Sequence, residues 1–158
     1  MATVELTAQN FDSVVSGADL ALVDFWASWC GPCRMFGPIF ERASEKHGDL
    51  VFAKVDTEAQ PDLAQAFNIT SIPTLMVIKD KVILYAQPGA LPEPSLEDLI
   101  SQARQVDMDQ VRADLAAGQQ DAGQQDAGLQ DAGQQDAGRT EASQGASQRS
   151  AGAETNDR

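Results

Sequence analysis

Cys30 and Cys33 are the only cysteines among 158 residues, and only Gly31 and Pro32 separate them. A pair at this spacing either supplies half of a metal site or cycles between dithiol and disulfide. Zinc normally takes four ligands, and the single histidine, His47, falls near the far end of the helix expected to start at the cysteines. It would lie roughly 20 Å or more away, so no metal is expected unless two chains share ligands. Redox exchange needs a thiolate. A cysteine in the first helical turn faces unpaired backbone N–H groups and the positive end of the helix dipole, and both favour the anion. Cys30 takes that place and is assigned as the attacking nucleophile, with Cys33 as the resolving thiol. Across one helical turn their Cα atoms come within roughly 5–6 Å, a span a disulfide bridges.

The neighbours fit the same scheme. Gly31 leaves the sulfur open to a bulky protein substrate, and Trp29 supplies an apolar rim. Pro32 is tolerated in the first turn because its missing N–H would have been unpaired anyway. Asp24 interrupts the apolar run Leu22-Val23-Asp24-Phe25-Trp26. Burial raises a carboxyl pKa, and a carboxylate titrating near neutrality can take the proton of Cys33 as it attacks a mixed disulfide. Lys54, in the adjacent apolar segment, is the residue expected to pair with Asp24. The plainer reading is that Asp24 bridges backbone groups in the core.

These residues must be positioned by alternating elements. Phe11, Val14 and Val15 have helical spacing after Asn10, a natural N-cap. The run 20–27 is nearly all apolar, as in a strand covered on both faces. The helix carrying the cysteines runs through Met35, Phe36, Ile39, Phe40 and Ala43 to Gly48, and 50–55 is a second apolar strand. A short helix over 61–67 follows. Strands 74–79 and 82–86 flank Asp80-Lys81 as a hairpin. The last helix opens near Pro94-Ser95, with Asp98 placed for a capping box. Leu96, Leu99, Ile100 and Ala103 line one face, and Met108, Val111 and Leu115 continue in shifted phase, as a kinked or separate helical extension. The alternation is that of an α/β sandwich.

At this point a family resemblance becomes visible. Val23 to Arg34, read as Val-Asp-Phe-Trp-Ala-Ser-Trp-Cys-Gly-Pro-Cys-Arg, resembles the active-site segment of thioredoxins. Pro38 is similar to the proline that kinks the family's second helix, and Lys54-Val55-Asp56 to the strand behind the site. Ile72-Pro73-Thr74 resembles the cis-proline loop, and Pro88-Gly89-Ala90 the segment with the substrate-facing glycine. The resemblance spans about residues 4–105, with its segments in the right order. It implies the thioredoxin fold, a central mixed five-stranded sheet flanked by four helices (βαβαβαββα). It implies a protein-disulfide reductase working without a bound cofactor, recharged by a flavin-dependent thioredoxin reductase and acting on disulfide-containing client proteins. Trp29, Gly31, Pro32, Ile72, Pro73 and Gly89 are then the client-facing residues, with Pro73 cis. The alternative is a binding module on the same fold in which redox chemistry is secondary. One departure is visible: Lys81 stands where many relatives have glycine, so a longer or bulged hairpin loop is expected.

Charge and composition narrow the partners. A net charge of −13 argues against nucleic acid or an anionic membrane as a general partner. No apolar stretch approaches the ~20 residues of a spanning helix. The first ten residues lack the basic and apolar regions of a secretory signal, so a cytoplasmic monomer is expected. Near Gly118 the composition changes to four near-copies of Gln-Gln-Asp-Ala-Gly followed by a Ser/Ala/Gln/Gly stretch. A period of five matches neither helix nor strand, and recurrent glycine opposes helix by about 1 kcal/mol each. Residues 1–117 are therefore taken as the domain, and 118–158 as a disordered low-complexity tail.

Overall fold

A computed structural model describes residues 2–128, with side chains to residue 119. The chain divides into two units, Met1–Ala116 and Ala117–Arg158, and the first carries the sheet. The elements are β1 (Thr3–Glu5), α1 (Phe11–Ser16), β2 (Leu20–Trp26), α2 (Gly31–Lys46), β3 (Val51–Asp56), α3 (Pro61–Ala66), β4 (Thr74–Lys79), β5 (Val82–Pro88), α4 (Glu93–Gln105) and α5 (Met108–Gly128). The sheet order is β1-β3-β2-β4-β5. Strands β1, β3 and β2 are parallel, while β4 and β5 add in antiparallel pairing. Strand β1 is three residues long, too short for any alternation to show in its sequence.

Parity along β2 decides which side chains meet which helices. Leu20 and Leu22 join Phe36, Phe40 and Ala43 of α2 and Leu96 and Ile100 of α4 in one core. Val23 and Phe25 point the other way, into a second core with Val15 of α1. Asp24 and Trp26 are in phase with Leu20 and Leu22, so they face α2. In β3, Lys54 is likewise in phase with Phe52, which packs in the α2 core. The parallel register sets Asp24 beside Lys54.

Four local expectations change. Asn10 does precede α1, but its side chain makes no cap bond to the helix. Its Oδ1 accepts from the Thr7 N–H at 2.7 Å and its Nδ2 donates to the Glu5 carbonyl, closing the preceding turn. Helix α4 starts at Glu93 behind Pro92 with no side-chain cap, so the Ser95–Asp98 capping box does not form. Glu93 instead takes ion pairs from Arg42 and Lys46 of α2. The hairpin turn is a tight two-residue one, because Asp80 and Lys81 both adopt positive φ, 49° and 67°. Lys79 still pairs with Val82, and the bulge lies further along, at Val77/Ile78.

The fourth change lies in the helical extension read at Met108, Val111 and Leu115, which among the described residues is a separate fifth helix and runs on past Gly118. Asp107 Oδ1 accepts the N–H groups of Asp109 and Gln110, Met108 is buried, and Arg112 bridges to Asp80. With nucleation supplied by those contacts, each further residue needs only to propagate. Residues 118–128 are consequently helical, where glycine recurrence predicted none. The rest of the tail, 129–158, lies outside the described residues.

Candidate active site

The site forms where β2 ends and α2 begins. Cys30 is the N-cap of α2, with extended backbone (φ −81°, ψ 113°), one position earlier than the first-turn placement read from sequence. Its sulfur accepts the Cys33 N–H at 3.2 Å and so fills the role of an N-cap side chain. The two cysteines are disulfide-bonded, with Cα atoms 5.3 Å apart. Exposure does not separate their roles, being 4 % for Cys30 and 5 % for Cys33. Their positions differ: the Cys30 sulfur lies at the helix end, 3.6 Å from the Ile72 carbonyl oxygen. Arg34 ties the first turn back to the loop before it, donating from Nε and Nη2 to the Ser28 carbonyl.

Of the residues expected from sequence to face a client, Ile72 is brought against this sulfur, with Pro73 and Gly89 linked behind it. Ile72–Pro73 is cis, and Ile72 packs against the cluster of Ala27, Cys30 and Cys33. Gly89 follows β5 at φ 115° and donates its N–H to the Pro73 carbonyl at 2.8 Å. No heavy atom lies within 4 Å of where a Cβ would be, so backbone conformation rather than crowding selects glycine there. Gly31 and Pro32 are exposed on the first turn of α2.

Trp29 is 63 % exposed and does more than form an apolar rim. Its Nε1–H donates to Glu58 Oε1 at 2.6 Å. Glu58 follows β3 in a turn closed by Asp56 Oδ1, which accepts the Glu58 and Ala59 N–H groups. Sequence reasoning missed Glu58, although an Asp at a strand end followed by polar residues is a turn signal. A groove of about 400 Å³ opens beside this pair, lined by Trp29, Thr57, Ile69 and Ile72 among others.

Behind the disulfide, Asp24 is wholly buried and neither carboxylate oxygen has a hydrogen-bond partner. The expectation that it bridges backbone groups is therefore not met. Burial pushes its pKa from 3.8 up to about 7, and the positive charge of Lys54 opposes part of that rise. The expected ion pair is not made. Lys54 Nζ instead sits over the Trp26 ring, 4.6 Å from its centroid. Neighbouring register places backbones side by side but leaves a flexible lysine free to choose the aromatic face. An open pocket of about 290 Å³ reaches Cys33 and is lined by Trp26, Arg34, Pro38, Glu41 and Lys54.

His47 is the C-cap of α2, at the opposite end of the helix from Cys30. It stacks on Phe52 and joins Glu97 through Nε2 at 2.7 Å. Its role is to tie α2 to α4.

A family model described as Thioredoxin matches residues 2–102. The chain belongs to the thioredoxin family. It is 61 % identical over 117 residues to "Putative thioredoxin 2" of Streptomyces coelicolor, covering 74 % of this chain and 87 % of that one. A thioredoxin of Alicyclobacillus acidocaldarius is 41 % identical, covering 63 % of this chain and 99 % of the relative. Among solved structures, a single-site mutant of a thioredoxin from Halobacterium salinarum superposes with a TM-score of 0.62 at 32 % identity, covering 66 % of this chain and 93 % of that one. Thioredoxins are thiol–disulfide oxidoreductases, and the Cys30–Cys33 pair of this family member is redox-active in a protein-disulfide reductase. No helix among the described residues is long and apolar enough to cross a membrane.

Proposed function

We propose that Cys30 attacks client disulfides, that Cys33 resolves them and that Asp24 takes the Cys33 proton. The observation that carries this reading is the Cys30 sulfur at the N-cap of α2, held by the Cys33 N–H and facing the Ile72 carbonyl. In the dithiol form, the Cys30 thiolate bonds to one client sulfur and expels the other as thiolate. Cys33, losing its proton to Asp24, then bonds to the Cys30 sulfur and breaks the mixed disulfide. The client leaves with both electrons, and the protein is left as the disulfide seen here. Asp24 suits the task because an unpartnered buried carboxylate titrates near neutrality and faces the helix that carries Cys33. Ile72, Pro73 and Gly89 dock an extended client segment by strand-like pairing, with Trp29, Gly31 and Pro32 around it.

Electrons return, in this reading, from an NADPH-driven thioredoxin reductase, and the protein acts as a cytoplasmic monomer. The chemistry is assigned to residues 1–117, with 118–158 as an accessory segment. The test is NADPH oxidation in the presence of thioredoxin reductase and insulin, comparing the wild type with Cys30→Ser. Coupled turnover that vanishes in the variant is the expected result. Undiminished turnover in Cys30→Ser refutes Cys30 as the nucleophile, a cellular role left intact in that variant points to a binding module, and no turnover in the wild type points to another reductant or another role.

A further inference from the structure

We propose that Met35 is the site at which a hydroperoxide oxidises this protein, and that the resulting sulfoxide weakens client docking. In the disulfide form the two cysteine sulfurs are bonded to each other, and each residue is at most 5 % exposed. Met76 and Met108 are buried, at 2 % and 7 % exposed, whereas Met35 is 74 % exposed. Among the described residues, Met35 is thus the one sulfur both free of a bond partner and open to solvent.

Its place on α2 gives that accessibility a consequence. Gly31 and Pro32 precede Met35 by four and three residues, the spacing at which helical side chains share a face. All three are exposed, so Met35 extends by one turn the strip that starts at the Cys30 sulfur. A thioether there is a flexible apolar contact for a client, and a sulfoxide is a polar one. In the reaction, the hydroperoxide passes one oxygen atom to the thioether sulfur. The sulfur is oxidised by two electrons, and the peroxide is reduced to water or an alcohol.

The docking half rests on the client face proposed above; the oxidation half stands apart from it. The full-length disulfide protein is exposed to hydrogen peroxide, freed of it with catalase, and mapped by peptide mass spectrometry. The same samples are assayed with thioredoxin reductase and insulin. Addition of one oxygen to Met35 ahead of Met76 and Met108 is expected, with the KM for insulin rising about three- to tenfold and kcat little moved. Met35→Gln should raise KM without peroxide, and the KM of Met35→Leu should be the same before and after treatment. Oxygen spread evenly over Met35, Met76 and Met108, or an unchanged KM once Met35 is oxidised, overturns the proposal. A peroxide-driven rise in Met35→Leu overturns it as well, since another group is then responsible. Absence of turnover in the untreated protein sinks the reductase reading and the docking half together, while the peptide map still decides the oxidation.

Discussion

Replacing Asp24 with Asn removes a charge from a site where Lys54 compensates it only in part. The carboxyl is fully buried, its oxygens have no partners, and its pKa stands at about 7 against an ordinary 3.8. Because the folded state holds the proton more tightly than the unfolded chain, folding is unpenalised below about pH 4. Stability is then lost at about 1.4 kcal/mol per pH unit from there up to the folded pKa near 7, and levels off above it. At about 1.4 kcal/mol per tenfold, the displacement amounts to about 4 kcal/mol once the group is fully ionised. The Asn amide brings its own unmet hydrogen bonds, about 1–3 kcal/mol, but that term does not vary with pH. The quantity to measure is therefore the difference between Asp24→Asn and wild type in urea unfolding, followed from about pH 4 to pH 9. Both proteins are kept in the disulfide form so that no thiol titrates. The variant should gain about 4 kcal/mol on the wild type, nearly all of it between about pH 4 and pH 7, with the midpoint at about pH 5.5 and a plateau above. Parallel stability curves would refute the argument, for they would mean that Asp24 is solvated or partnered in solution.

Two further predictions concern the pole of the sheet away from the disulfide. Lys79 Nζ donates to the carbonyls of Ala103, Arg104 and Val106 at 3.1, 3.0 and 3.0 Å, closing the joint between α4 and α5. Lys79→Met should lower unfolding free energy by about 2–3 kcal/mol in urea titration, and a loss under about 0.5 kcal/mol would show the joint to be solvated. Lys81 holds φ at 67° without being glycine. Lys81→Gly should relieve the left-handed strain and raise stability by about 0.5–1 kcal/mol; a thermal midpoint that falls contradicts the turn geometry.

How much of this could be read from residues alone varies with the range of the interaction. Strands β2 and β4 and helix α2 were legible because dense apolar runs and 3.6-residue spacing are local signals. So were the paired cysteines, since three residues in a helical turn bring sulfurs together wherever the helix lies. Strand β1 was not legible from its three residues, and the cap of α4 was misread. There Glu93 answers to Arg42 and Lys46 on another helix, and no local cap marks the start. The hairpin turn misled for a similar reason. Lys81 is a poor residue for positive φ, yet the turn closes, with Asp80 paired to Arg112 of α5.

The chain's own order thus settled the redox pair, the strand-to-helix junction that presents it and the apolar setting of Asp24, all of which depend on neighbours a few residues apart. Tertiary structure alone decided the rest. It set the Ile72 carbonyl of the cis Ile72–Pro73 bond beside the Cys30 sulfur, tied Gly89 to the Pro73 carbonyl and joined Trp29 to Glu58. It also turned Lys54 from the expected ion pair to the face of Trp26. Those outcomes follow from sheet register and from competition among partners distant in sequence. A flexible lysine goes to whichever partner the assembled fold offers, and no local pattern of residues records that choice.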